Sequence, residues 1–152
     1  MTVDITKRKE LKALLNNLDE TAEARWGLLK PQHMIEHLAV SIQISNGKKP
    51  LGQRVTDEQA KIAKAAYVYT DVEMEKGLKT PMLPEIPGAF EFPAMDAAKK
   101  ELIMRLDDFE NYFRLHPNAT FIHPRFGHLD YKEWVIVHNK HFTHHFKQFG
   151  LI

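Results

Sequence analysis

Two histidines near the C-terminal end, His141 and His145, are the residues whose type and spacing most directly allow chemistry. Side chains four residues apart project from the same face of an α-helix, one turn apart. Two imidazoles placed in this way can hold one divalent metal ion together. The chain has no cysteine, so any metal must be held by nitrogen and oxygen atoms, and a cysteine nucleophile is excluded.

The helix that contains this pair is predicted from Asp130 to Phe149. At 100° per residue, one side of it is mainly aromatic and histidine-rich. That side consists of Tyr131, Trp134, His138, His141, Phe142, His145, Gln148 and Phe149. The opposite side is polar and consists of Lys132, Asn139, Lys140, Thr143 and Lys147. Because burying an imidazole without a partner costs free energy, the histidines on the inward side need partners, and a metal ion is the candidate.

A third ligand must come from elsewhere in the chain, and His37 is the candidate. Pro31 suits the first turn of a second helix, and Asn46-Gly47 suits its end. The apolar stripe of this helix consists of Met34, Ile35, Leu38 and Ile42. His37 lies on the margin of the stripe, where a histidine is more often a hydrogen-bonded boundary residue than a ligand. A pair of ligands on the last helix changes this weighting in favour of a metal ligand.

The remaining elements must bring these two helices together. Helical periodicity predicts three further helices, at roughly residues 5 to 18, Thr56 to about Tyr69, and Asp96 to about Leu115. Residues 77 to 93 hold four of the eight prolines and are predicted to be an ordered excursion or lid. No strand pattern of useful length is found. We therefore predict one all-α domain over residues 1–152, a four-helix bundle of up to five helices with a long proline-rich connection before the penultimate main helix.

Composition limits the kinds of molecule that the protein is expected to bind. The formal net charge is +1, which gives no electrostatic argument for binding nucleic acid or an anionic membrane. No window reaches the roughly 18 apolar residues of a membrane-spanning helix, and the N-terminal segment has no apolar signal core. The cytoplasm is the expected location, and a mature secreted form is compatible with the same sequence. The expected partner is a small molecule, and a homodimer is also compatible.

Three segments show a resemblance to a known family. They are WGLLKPQHMIEHL at 26 to 38, HPRFGHLDYKEW at 123 to 134, and HNKHFTHHFKQFG at 138 to 150. The sequence resembles the DinB-like superfamily of metal-binding four-helix bundles, and most of all an uncharacterised branch of small bacterial proteins. Members have a histidine on the second helix and an H-x-x-x-H pair just before a glutamine on the last. The resemblance therefore implies a metal site formed by His37, His141 and His145, followed by Gln148.

A site with three histidine ligands is typical of catalytic metal sites rather than of closed structural ones. Three neutral imidazoles leave a bound ion an open position for water or substrate, and the ion can be zinc, nickel or iron(II). The ion can lower the pKa of bound water or capture a thiolate. Relatives in the superfamily include metal-dependent transferases that use low-molecular-weight thiols, and thiol-dependent isomerases. The resemblance thus implies a small thiol as cosubstrate, which would attack an electrophile near Trp26, Trp134 and His138.

Two other functions are kept open. In a metal-dependent hydrolase Glu36 could act as the base, although it is turned about 100° away from its neighbour His37. In a non-catalytic bundle the metal would mainly fasten two helices. The connector residues His123, Arg125 and His128 could reach a substrate, or the two histidines could simply hydrogen-bond the loop. His138 is expected to line the pocket, with a role as fourth ligand the weaker alternative.

Overall fold

The computed structural model describes residues 1–78, 80, 83–84 and 86–152. Over these residues it consists of five helices and one short antiparallel hairpin. The elements are α1 Arg8–Asn16, α2 Pro31–Ser45, α3 Asp57–Tyr67, α4 Met95–Leu115, β1 Phe121–His123, β2 Gly127–Leu129 and α5 Tyr131–Gln148. The fold is therefore mostly helical, which confirms the predicted class.

The second helix lies at the centre of the fold. It packs against α4, α5 and β1. The four residues of its predicted apolar stripe are fully buried, at 0% exposure: Met34, Ile35, Leu38 and Ile42. Because α2 has neighbours on several sides, the margin of the stripe is buried as well, and this includes His37.

The last helix begins with the predicted capping box. The Asp130 side chain accepts the Glu133 N–H, and the Glu133 side chain accepts the Asp130 N–H. These two bonds satisfy donors that the first turn of a helix leaves free. Asp130 and Phe149 are thus the cap residues of α5, and the predicted bounds agree with the structure to within one residue at each end.

The polar side of α5 contacts the N-terminal segment. Val3 donates its N–H to Thr143 Oγ1 at 2.8 Å, and Ile5 donates its N–H to Asn139 Oδ1 at 2.8 Å. The N-terminal segment therefore lies along this side and buries Val3 and Ile5. For the same reason the first helix begins at Arg8 rather than near residue 5.

A hairpin occupies the connector between α4 and α5, where no strand was predicted. Phe121 pairs with Leu129, and His123 pairs with Gly127. Gly127 has a φ of +71°, a conformation that favours glycine and allows a tight turn. The prediction was wrong here because strands of three residues are too short to show a period of two.

The proline-rich connection joins α3 to α4, in the predicted place. Of its prolines, Pro81 lies outside the described residues. The later part of the connection is held against α2, because the Glu36 carboxylate accepts the N–H groups of Glu91 at 2.8 Å and Phe92 at 3.0 Å. Among the helices of the described residues, none combines the length and hydropathy needed to cross a bilayer.

Candidate metal centre

Three histidines from two helices meet at one point. His37 on α2 has its Nε2 atom 2.9 Å from Nε2 of His141 on α5. His145, one turn further along α5, has its Nε2 atom 3.1 Å from the same atom of His141. One ligand atom from each of the three residues lies within 4.8 Å of the other two. The three predicted metal ligands are therefore brought together.

All three imidazoles are neutral at neutral pH. Burial lowers the pKa of His37 to about 3, with a smaller effect from the neighbouring His145. Burial also lowers the pKa of His145 to about 4. For His141, burial and then the adjacent imidazoles hold the pKa well below its ordinary value. Neutral imidazole is the form that binds a metal ion.

The proton of His145 can be placed from its hydrogen bonds. The Gln148 side-chain amide donates from Nε2 to the Trp26 carbonyl oxygen at 2.8 Å. The amide oxygen Oε1 therefore faces His145 Nδ1, at 2.7 Å, and an oxygen can only accept there. The His145 proton is thus on Nδ1, and Nε2 presents a lone pair to His141.

Protons alone cannot satisfy the contacts between these nitrogens. His145 Nε2 is a bare acceptor, and His141 Nε2 has two short contacts, with His37 and with His145. A neutral imidazole has one N–H, so at most one of the two contacts is an ordinary hydrogen bond. The other contact has either no proton between its two nitrogens or no lone pair left to accept one, which is unfavourable in a buried site. A shared cation would satisfy all three nitrogens at once.

The spacing of the nitrogens also fits a single ion. Metal–nitrogen bonds of about 2.0–2.1 Å place two ligand nitrogens about 2.9 Å apart in octahedral and about 3.3 Å apart in tetrahedral geometry. The distances from His141 Nε2 to the other two nitrogens, 2.9 Å and 3.1 Å, lie within this range, and the ligand atoms of His37 and His145 lie within 4.8 Å of each other. The donor set and the geometry therefore both fit a divalent ion that prefers imidazole ligands.

Of the predicted substrate-binding residues, Trp26 is connected to the cluster through the ring of His144. Its ring meets the His144 ring edge-on with centroids 5.4 Å apart, and the His144 ring is 4.9 Å from that of His145. The Lys76 ammonium group lies 4.5 Å from the centroid of the Trp26 ring. Trp26 is half-buried, so one part of its ring is open to solvent. The predicted contact of Trp26 with the substrate stays a prediction.

His138 and Trp134 are placed deeper in the core. His138 is 1% exposed, and its ring stacks on that of Trp134 with centroids 5.4 Å apart. The Ser45 hydroxyl donates to the Ile42 carbonyl oxygen, so its oxygen accepts the His138 Nε2–H at 2.8 Å. His138 is thus engaged by α2 and is not one of the three clustered ligands. The part of both residues in substrate binding stays a prediction.

Arg125 and the connector histidines belong to the hairpin. His123 Nδ1 accepts the N–H of Arg125 at 3.0 Å, so His123 hydrogen-bonds the loop, as the second interpretation predicted. His128 is exposed and its Nδ1 lies 3.3 Å from Thr120 Oγ1. The Arg125 side chain is exposed and lies over the Phe126 ring. The proposed contact of Arg125 with substrate stays untested.

Sequence reasoning did not assign the partners that orient these rings. Gln148 was placed on the inward side of α5 but given no role, although a glutamine three residues after a histidine on a helix can reach its ring. Ser45 and Lys76 were not considered. The last two contacts join residues far apart in the chain, so no local pattern indicates them.

Comparisons with protein families, with curated proteins and with solved structures found no match to this chain.

Proposed function

We propose that the protein is a DinB-like metal-dependent enzyme that uses a small thiol as cosubstrate, as a transferase or isomerase. His37, His141 and His145 would hold one divalent ion, with zinc, nickel and iron(II) as candidates. The observation that supports this most strongly is the convergence of three neutral Nε2 atoms that share too few protons to satisfy one another. The resemblance of the sequence to the superfamily supports the same ligand set.

A bound ion of this kind would lower the pKa of a thiol and so supply the nucleophile. The chain contains no cysteine, so the thiol must come from a separate molecule. His37, His141 and His145 provide neutral donors and add no negative charge, which leaves the positive charge of an ion undiminished. Trp26 offers a half-buried aromatic surface one ring away from His145, suited to an apolar electrophile.

Hydrolysis by metal-activated water is the less favoured function. The base considered for it, Glu36, accepts hydrogen bonds from Gln32 Nε2 and from two backbone N–H groups of the proline-rich connection. A carboxylate engaged in this way is held in place as a structural anchor. A non-catalytic site that fastens α2 to α5 is the other alternative, and the assay below separates all three.

The test is consumption of a low-molecular-weight thiol by the metal-loaded protein. Bacillithiol, mycothiol and glutathione are offered together with a chromogenic aryl halide, and loss of the free thiol and release of the halide are followed. We expect turnover with at least one thiol and a loss of at least about 100-fold in His141→Ala, the size expected when metal activation of a nucleophile is removed. His116→Ala, which removes an exposed histidine at the end of α4, should match the wild type.

Turnover of ester or amide substrates without any thiol would replace the thiol mechanism with hydrolysis. Metal binding without turnover of any thiol, ester or amide would leave the non-catalytic function. Equal thiol consumption by wild type and His141→Ala would contradict the proposed site.

A further inference from the structure

We infer that Gln148 is a positioning residue of the metal centre. It holds the His145 proton on Nδ1 and links that ring to Trp26, in the segment between α1 and α2. The inference rests on the proposed metal site and deepens it, because it names the group that prepares one ligand for the ion. Gln148 contacts His145 at Nδ1 and not at the Nε2 atom that faces His141.

The first step is the pair of hydrogen bonds made by the Gln148 side chain. Its Oε1 accepts from His145 Nδ1 at 2.7 Å, and its Nε2 donates to the Trp26 carbonyl oxygen at 2.8 Å. Gln148 is 3% exposed, so water does not compete for these bonds. The two bonds use the oxygen and the nitrogen of one amide in a single orientation.

The second step is that this orientation cannot be reversed. A flipped amide would place its oxygen against the Trp26 carbonyl oxygen and its N–H against His145 Nδ1, so the Trp26 bond would be lost and Nδ1 would have to accept. His145 would then hold its proton on Nε2, the atom that faces His141. Fixing the amide through Trp26 therefore keeps Nε2 of His145 free for a metal ion.

The third step concerns the backbone of this connector between α1 and α2, which allows the contact with Gln148. Arg25 donates its N–H to the Gln148 carbonyl oxygen at 2.8 Å, so a second bond holds the connector to the end of α5. Gly27 follows with a φ of +78°, and a Cβ atom built there would lie 3.2 Å from Gln148 Nε2. The glycine allows both the backbone conformation and the close approach of the connector.

Two substitutions separate the positioning role from a purely structural one. Gln148→Met and Gln148→Glu both remove the Nε2 donor to Trp26, but only Glu keeps an acceptor for the His145 Nδ1–H. Loss of a hydrogen-bond partner of a metal-binding histidine weakens metal affinity by about 10–100-fold. We expect such a loss for Gln148→Met, while Gln148→Glu should stay within about 3-fold of the wild type because a carboxylate is an established partner in this position.

The probe is Co²⁺, whose absorption spectrum reports both affinity and coordination, titrated into metal-free protein. The ¹⁵N NMR signals of His145 in the metal-free protein should show the Nδ1–H form in the wild type and in Gln148→Glu, and a mixture or the Nε2–H form in Gln148→Met. Gln43→Met, a half-buried glutamine on α2, is the matched control and should leave Co²⁺ affinity unchanged.

The free energy of unfolding of the metal-free variants completes the test. Both Gln148 variants lose the Trp26 bond, and Glu also sets a buried carboxylate oxygen against the Trp26 carbonyl oxygen, so stability alone predicts that Gln148→Glu binds metal no more tightly than Gln148→Met. If both bind Co²⁺ equally weakly, or if neither differs from the wild type, the positioning role is wrong while the metal site stands. If the wild type itself binds no Co²⁺, the proposed function fails and this inference fails with it.

Discussion

Three histidines of this protein, His145, His138 and His123, have one ring nitrogen assigned by a neighbour. Gln148 accepts from His145 Nδ1, and Ser45 accepts from His138 Nε2. At the hairpin the backbone N–H of Arg125 donates to His123 Nδ1, which leaves that ring its proton on Nε2. Burial lowers the pKa of His138 to about 3 and that of His123 to about 4, so both rings are neutral and need such partners. Fixed tautomers allow imidazoles to be packed as densely as apolar side chains.

The partner of His138 can be tested with a matched pair of serines on α2. Ser45 and Ser41 are both buried, and each donates its hydroxyl to the carbonyl oxygen three residues earlier. Only Ser45 also accepts from His138. Ser45→Ala leaves a buried N–H without a partner and should lower the free energy of unfolding by about 1–3 kcal/mol.

Ser41→Ala should change the same quantity by less than about 0.5 kcal/mol, the range of substitutions that break no buried network. Urea denaturation of the metal-free proteins measures both values. Equal effects of the two substitutions would show that the bond to His138 contributes nothing measurable.

At this scale the sequence predicted which histidines come together better than it predicted their partners. The i, i+4 spacing of His141 and His145 follows from helix geometry and needs no knowledge of the fold. His37 could be ranked as a third ligand only because the pair required one. Ser45 and His138 are 93 positions apart, so their contact depends on how α2 and α5 pack, which local periodicity does not determine.

Among the elements, α2 has two separate tasks. Its His37 side chain belongs to the histidine cluster, and its first turns hold the proline-rich connection. His33 Nδ1 accepts the Lys30 N–H, so its Nε2 donates to the Gly88 carbonyl oxygen at 2.8 Å, while Glu36 accepts two backbone N–H groups one turn later. The connection is thus fastened to the same helix that positions a ligand.

Glu36→Gln tests this anchoring. A neutral amide can accept only at its oxygen, so at least one of the bonds to Glu91 and Phe92 is lost. We expect hydrogen exchange at these two amides to become at least about 10-fold faster, which corresponds to a local loss of about 1.4 kcal/mol. Glu58→Gln, an exposed residue in the first turn of α3, is the control and should leave these amides unchanged.

Unchanged exchange at Glu91 and Phe92 in Glu36→Gln would show that the carboxylate does not hold the connection. It would also return Glu36 to consideration as a base in a hydrolytic mechanism.

The helices were predicted well because each presents a long periodic pattern, and the caps of α5 were visible as Asp130 and Glu133. The predicted bounds of α3 and α4 differ from the structure by no more than two residues. The hairpin was missed because its strands are three residues long. The contacts of the polar side of α5 were not predicted, because side chains that accept backbone N–H groups cannot be told from solvated ones by their type alone.

For the whole molecule, the central question is whether α2 and α5 share one ion. The near-neutral charge gives no support for nucleic acid as a partner. Like the bond between His138 and Ser45, the histidine cluster joins the two helices at a buried polar point. Without an ion, this point brings together nitrogens that cannot all be satisfied.

Elemental analysis of the untagged protein tests this claim most directly. We predict one zinc, nickel or iron per chain in the wild type. His37→Ala, which removes the ligand on α2, should lower the metal content to less than about a tenth, since two imidazoles alone bind an ion far more weakly. His33→Ala, one turn earlier on the same helix, should retain one ion per chain. A wild type free of metal after expression and after equilibration with these ions, or a His37→Ala variant that keeps a full equivalent, would contradict the account.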